Sequence, residues 1–312
     1  MADSKVIAVL GATGAQGGGL ARAILDDPDG GFTARALTRN PDSDGAKALA
    51  ERGAQVVAAD LDDQASLVAA FSGAHGVFGV TQYWEYFSVE REQAQAANIA
   101  RASVEAGVHH VIWSTLEDTR KWISLEDDRM PTLAGRYKVP HYDSKGEADG
   151  FFAEAGAPTT YLATAFFWEN LLGTVARGED GVLAITVPMG EARLPGIAAK
   201  DIGLTAYGVF KRGDELIGSR IGIAGEHLRI AEMAATLSEV LGEEVRYQDV
   251  PPEVFRSFGF PGADDAGNMF QFKRDFEEDY VGARDLSVVR SLNPDLETFE
   301  DWARANKDGF QV

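Results

Sequence analysis

The chain has 312 residues, 45% of them hydrophobic and 25% charged, the makeup of a globular protein long enough to bury a large core. Its formal net charge of −20 opposes the phosphate neutralisation on which nucleic-acid affinity rests, so no direct nucleic-acid partner is expected. With no cysteine there is no disulfide, thiolate nucleophile or thiol redox switch.

The opening residues, MADSKVIAVL, read as the approach to a strand rather than as a signal peptide. No apolar run reaches the roughly 18 to 20 residues that cross a bilayer, so a cytoplasmic protein without a membrane partner is expected. Val6 to Leu10 is a short apolar run that meets Gly11, Gly14 and Gly17, and Leu20, Ala21, Ile24 and Leu25 follow at helical spacing. That is strand, glycine turn, helix. Such a turn suits a dinucleotide pyrophosphate: Gly11 permits the sharp exit, Gly14 lets backbone approach phosphate, and Gly17 lets the helix pack close to the strand. The helix N-terminus adds free amides and a partial positive charge. The spacing is GxxGxxG rather than the commoner GxGxxG.

Phe32 to Leu37 reads as a second strand, and Arg39 follows where an NAD-selective site places an acidic residue. A guanidinium suits a 2′-phosphate and so favours NADP, although Asp42 and Asp44 lie close behind it. A helix over Ala46 to Arg52 leads to a strand over Gln55 to Ala59, closed by Asp60, Leu61 and Asp62 on the adenine side of such a sheet. Next come a helix from Gln64 to Phe71, a strand from Gly76 to Val80, and the cluster Thr81, Gln82, Tyr83 and Trp84, expected to line a ligand cleft. A helix over Val89 to Ala106 and a strand over His110 to Trp113, ending at Ser114 and Thr115, complete an alternation that predicts a parallel doubly wound sheet. His109 and His110 are adjacent and cannot chelate one ion from a strand, and no metal site is expected.

From Glu117 to Tyr142 the chain is irregular and charged, with Pro131, Gly135 and Pro140 punctuating it, which predicts a lid or binding loop. The run HYDSKGEAD puts Lys145 near the start of a helix that continues to about Ala155. Thr160 to Ala163 reads as a sixth strand, and Ala165 to Gly173 as a turn into a helix under the cofactor edge. Beyond it, strands are expected over Val182 to Val187 and Ile221 to Ala224. Helices are expected over Ile197 to Lys211, Ile230 to Leu241, Pro252 to Phe258 and Thr298 to Asn306. Phe255, Phe258, Phe260, Met269, Phe270 and Phe272 read as the core of the smaller part. The expected fold class is α/β: a Rossmann-like doubly wound parallel sheet over 1–164, to which parts of 197–225 return, and a smaller mixed α/β C-terminal domain over 165–312.

The glycine turn, Arg39, Thr81 to Trp84, Ser114, HYDSKGE and FFWENL together resemble the NmrA-like family of atypical short-chain dehydrogenase relatives, in particular the branch of the human NADPH sensor. FGFPGADDAGNMFQF and RSLNPDLETFEDWA extend the likeness over nearly the whole chain. The resemblance implies NADP(H) held by Gly11, Ala12, Thr13, Gly14, Ala15, Gln16 and Gly17, by Arg39, Asp60 and Leu61, by Thr81, Gln82 and Tyr83, by Lys145, and by Phe167, Trp168, Glu169 and Asn170. The parent dehydrogenases carry a Tyr four residues before the Lys, which lowers the Tyr pKa for proton exchange. Here His141 occupies that place, and Tyr142 is one position out, a rotation of about 100° on a helix. Two functions are carried forward. The first is a redox-sensing regulator, in which NADP(H) occupancy biases the Glu117 to Pro140 loop or a homodimer and protein partners read the result. The alternative is an NADPH-dependent reductase of a small quinone, imine or carbonyl substrate, using Lys145 with His141, Ser114, Tyr142 or water as proton donor.

Overall fold

The computed structural model describes residues 4–310, so the first three residues of the expected approach to the opening strand lie outside it. The first half alternates as anticipated: β1 (Lys5–Val9), α1 (Ala15–Asp26), β2 (Phe32–Thr38), α2 (Asp44–Glu51), β3 (Gln55–Ala58), α3 (Gln64–Phe71), β4 (Gly76–Gly79), a single turn α4 (Tyr83–Tyr86), α5 (Val89–Glu105) and β5 (His110–Thr115). Local chemistry sets the ends. Ser43, Asp63 and Ser88 each accept a hydrogen bond from the first-turn amides of α2, α3 and α5, which starts α2 two residues earlier than its apolar pattern suggests. Then follow α6 (Pro140–Ala155) and β6 (Thr159–Ala163). The helix begins at Pro140 rather than beyond Tyr142, because proline is tolerated at the first helical position and buried Asp143 accepts from the amides of Lys138 and Val139.

The second half holds β7 (Phe166–Phe167), α7 (Leu171–Thr174), β8 (Ala176–Arg177), β9 (Leu183–Val187), β10 (Arg193–Ile197), α8 (Ala199–Arg212), β11 (Arg220–Gly222) and β12 (Glu226–Arg229). It closes with α9 (Ile230–Leu241), β13 (Val245–Asp249), α10 (Pro252–Arg256), α11 (Ala263–Asp275), α12 (Glu277–Gly282), α13 (Leu286–Leu292) and α14 (Phe299–Ala305). Seven strands form one sheet in the order β11-β6-β5-β4-β1-β2-β3, every pair parallel. Ile7, Ala8 and Val9 are fully buried because helices cover both faces, so β1 reads as an unbroken apolar run. α8 lies on α1 so closely that a Cβ at Gly203 would stand 2.1 Å from the Leu20 amide nitrogen and one at Gly19 would stand 2.5 Å from the Lys200 carbonyl. Two three-stranded sheets, β12-β10-β7 and β13-β9-β8, enclose a second core around Trp168, Leu194, Met233, Leu237 and Trp302.

The loop from Glu117 to Pro140, expected to be a lid or binding loop, packs on α11 through backbone carbonyls. Lys138 Nζ donates to the carbonyls of Asp127 (2.7 Å) and Met130 (2.6 Å), while Asn268 and Gln271 of α11 donate to those of Pro131, Lys138 and Arg129. Of the aromatic run expected to be core, Phe255, Phe270 and Phe272 are buried, but Phe258 and Phe260 stand exposed.

Lys273 of α11 is buried among the rings of Tyr142, Phe166, Phe270 and Tyr280, its Nζ 5.5–5.8 Å from their centres. Burial pushes its amine down to about 7, the Arg284 guanidinium adding to the effect and Glu117 opposing it. In the unfolded chain the amine titrates near about 10.4, so between these values only the unfolded state holds the proton. The penalty is fully present below about pH 7 and fades as pH rises toward about 10. Lys273→Met is therefore expected to raise the urea midpoint at neutral and lower pH, with the gain disappearing at alkaline pH.

Candidate functional site

The chain leaves β1 for β2 on one side, while β4 flanks β1 on the other, which opens a crevice beyond the carboxyl ends of these strands. Gly11, at φ +62°, makes the left-handed exit from β1. A Cβ at Gly17 would lie 2.3 Å from the Leu10 carbonyl oxygen and 2.7 Å from that of Gly11, so the first turn of α1 closes on the strand only with glycine there. Gly14 is the N-cap of α1, with no side-chain cap and no acidic residue in the first turn. The amides that Ser43, Asp63 and Ser88 satisfy on other helices thus remain here for an anion.

A cavity of about 350 Å³ runs from Gly11, Thr13 and Gly14 past Arg39 to Asp60, Leu61 and Gln82. Its size and its glycine floor fit the adenosine half of a dinucleotide. Arg39 stands on its wall, Nη1 donating to Glu85 Oε1 (2.7 Å) and to the Tyr86 hydroxyl (2.8 Å). That pairing holds Glu85 below the usual carboxylate range. Arg91 lies over the Tyr86 ring at 3.5 Å and pairs with Asp62 at 2.5 Å. Glu85, Tyr86, Arg91 and Gln95 line the same cavity and were not singled out from the sequence. The available signal was the Ser88 cap, which starts α5 and puts Arg91 and Gln95 one turn apart on it.

Toward the inner end, Lys145 Nζ donates to the Thr81 hydroxyl at 2.7 Å and lies 3.1 Å from Glu92 Oε1. Glu92, buried on α5, also accepts from the hydroxyls of Thr81 (2.8 Å) and Ser144. This carboxylate escaped sequence reading, because on an alanine-rich helix it resembles any solvated glutamate. His141 stands one turn before Lys145 on α6, its ring centre 4.7 Å from Trp84 and 5.9 Å from Tyr83. Its Nδ1 lies 2.7 Å from Asp265 Oδ1, and its backbone N–H donates to Asp265 Oδ2 at 3.2 Å. Burial, then the Asp265 and Glu92 carboxylates, hold the Tyr83 phenol above the usual tyrosine range. Ser114 gives its hydroxyl proton to Gln16 Oε1 (2.7 Å), joining the end of β5 to the first turn of α1.

Several anticipated residues lie elsewhere. Tyr142 points away from Lys145 into a core and shares a 3.0 Å hydrogen bond with the Tyr280 hydroxyl, as the rotation along α6 requires. Full burial, with Tyr280 and Glu117 next in effect, raises its phenol well above the ordinary range, which makes it a poor proton donor to the cleft. Trp168 is 0% exposed, packed between Trp302 and Phe299, so its indole has no surface to offer a ligand. Glu169 is engaged by the Ala199 amide (3.0 Å) and Trp302 Nε1 (3.1 Å), closing the start of α8. Ala12 is buried beneath the glycine turn, Thr13 and Ala15 are exposed on it, Phe167 is half-buried against the main core, and Asn170 is exposed.

A parallel sheet with a glycine cradle at its switch point, and a mixed second half packed beside its carboxyl edge, define a Rossmann-like α/β protein built for a nucleotide-sized ligand. The chain belongs to the NmrA-like family, which matches residues 3–303. The NmrA-like family domain-containing oxidoreductase FrzB of Cladobotryum sp. is 30% identical over 293 residues, covering 86% of this chain and 83% of its own. Among solved structures, that of NmrA, a negative transcriptional regulator, is similar with a TM-score of 0.79 at 22% identity over 96% of this chain and 95% of its own. The Citrobacter sp. triphenylmethane reductase, solved with NADP(H), has a TM-score of 0.74 at 19% identity over 98% and 99% of the two chains. At these identities the likeness is one of fold.

Proposed function

We propose that the protein is an NADPH-dependent reductase of a small quinone, imine or carbonyl substrate. The observation that carries this reading is that His141 and Lys145, one turn apart on α6, both lie against Thr81 to Trp84 at the end of β4. That is the spacing at which the parent dehydrogenases carry Tyr and Lys. The names of FrzB and of the Citrobacter sp. reductase support an oxidoreductase. The amides at Gly11 to Gln16 hold the pyrophosphate, Asp60 and Leu61 border the adenine, and Arg39 faces the 2′-phosphate. Bound there, the nucleotide supplies a hydride. Lys145 presents a cation where negative charge develops on the substrate oxygen or nitrogen. His141 delivers the proton to that atom as the general acid. The reading places the protein in the cytoplasm with the nicotinamide nucleotide pool.

The test is NADPH oxidation by purified protein across quinone, imine and carbonyl panels, with His141→Gln losing turnover while calorimetry shows nucleotide still bound. No oxidation in any panel defeats the reading. For cofactor choice, a charge-assisted contact of about 1.5–3 kcal/mol means that Arg39→Glu weakens NADPH about ten- to hundredfold and NADH little. Equal losses for the two nucleotides would remove Arg39 from the 2′-phosphate.

A second reading, a nucleotide-sensing regulator read by protein partners or through a homodimer, is favoured by the aromatic surface of the cleft lip. Trp84 and Phe87 are exposed beside Tyr83, with Gly262 against both, and Phe258 and Phe260 are exposed in the segment that leads to Gly262. It predicts silence across the substrate panels together with a change in oligomer size or protease sensitivity on adding NADPH.

A further inference from the structure

We propose that Asp265 is a positioning residue for His141, placing the ring proton on Nδ1 so that Nε2 faces the cleft as the atom that exchanges protons with substrate. The proposal rests on the reductase reading above. His141 approaches Asp265 with two groups at once: Nδ1 at 2.7 Å from Oδ1 and the backbone N–H donating to Oδ2 at 3.2 Å. An ionised carboxylate only accepts hydrogen bonds, so the nitrogen facing it carries the proton. The other ring nitrogen, Nε2, has no hydrogen-bond partner among the described residues.

The carboxylate comes from α11, in the second half of the chain, whereas His141 stands on α6 beside the main sheet. Both side chains are buried. The proton-donating arrangement is therefore incomplete until the second half has packed against the first. In a reduction, the protonated ring gives its Nε2 proton to the substrate atom adjacent to the one that receives hydride from the reduced nicotinamide. The products are oxidised nucleotide and reduced substrate, and the neutral ring, with its proton on Nδ1, is reprotonated at Nε2 from water.

Asparagine replaces this carboxylate poorly. The two His141 donors reach two different oxygens, and an asparagine side chain puts an NH₂ in place of one of them. If its oxygen keeps the backbone N–H, its NH₂ faces Nδ1, which must then be unprotonated, and the proton moves to Nε2.

The test is nitrogen-15 NMR of the histidine rings in the full-length protein at about pH 8.5, where an ordinary imidazole is neutral, with His141→Gln identifying the signals. The expected wild-type spectrum shows His141 protonated on Nδ1. Asp265→Asn is expected to shift the proton to Nε2 and to lower kcat by about a hundredfold or more, with KM for NADPH unchanged. Asp265→Glu is expected to restore the Nδ1 proton and part of the turnover. A wild-type ring protonated on Nε2, or an Asp265→Asn spectrum unchanged from wild type, overturns the assignment whatever the turnover. Nδ1 protonation in a protein that oxidises no NADPH in any panel instead defeats the reductase reading and leaves the Asp265 contact standing.

Discussion

Lys145→Met is expected to end NADPH-dependent reduction and to destabilise the fold far beyond the loss of an exposed charge. Lys145 is the only cation paired with Glu92 among the described residues, and the Glu92 side chain is 1% exposed. Removing one member of a buried pair leaves the other charged and desolvated, at a cost of about 3–5 kcal/mol. The hydroxyls of Thr81 and Ser144 soften this but carry no charge. The double variant Lys145→Met with Glu92→Gln removes both charges and is expected to recover most of the stability in urea denaturation, with turnover still lost about a hundredfold or more. Recovery of turnover along with stability would mean that Lys145 serves only to neutralise Glu92.

The second large effect is expected at Arg284, which is fully buried. Its guanidinium donates to Glu117 Oε1 (2.8 Å), to the Thr164 carbonyl (2.6 Å) and to the Tyr280 carbonyl (3.0 Å), and lies 3.7 Å over the Tyr280 ring. These contacts tie the segments after β5 and β6 to the end of α12. Glu117 Oε2 and Arg284 Nε are buried without hydrogen-bond partners among the described residues, so Glu117 has no other partner there when Arg284 goes. Arg284→Met is expected to cost about 3–5 kcal/mol, read as a fall in the urea midpoint. Calorimetric NADPH affinity at temperatures where the variant is folded should be unchanged, since Arg284 does not line the cavity. A variant as stable as wild type would show that the Arg284 contacts do not hold these segments together.

How much was legible follows from the range over which each feature is encoded. Gln64–Phe71 and Ile230–Leu241 match their expected spans because caps and apolar spacing lie within the helix itself. β10 was missed because Pro195 and Gly196 argue against a strand, yet the second half packs them inside a three-stranded sheet. The resemblance implies a ligand role for Trp168 and Glu169, whereas the Trp168 indole packs in the second core and the Glu169 carboxylate accepts from the Ala199 amide.

By itself the sequence determined the alternating first half, the glycine-only exit from β1, and the one-turn spacing of His141 and Lys145, because backbone conformation and helical periodicity act within a few residues. Only the tertiary structure decided which carboxylates meet these groups. Asp265 reaches His141 from 124 residues away and Glu117 reaches Arg284 across 167, and a carboxylate destined for a buried partner has the same local pattern as one facing water. What separates them is the desolvation imposed when distant elements pack together, a term absent from any short stretch of chain.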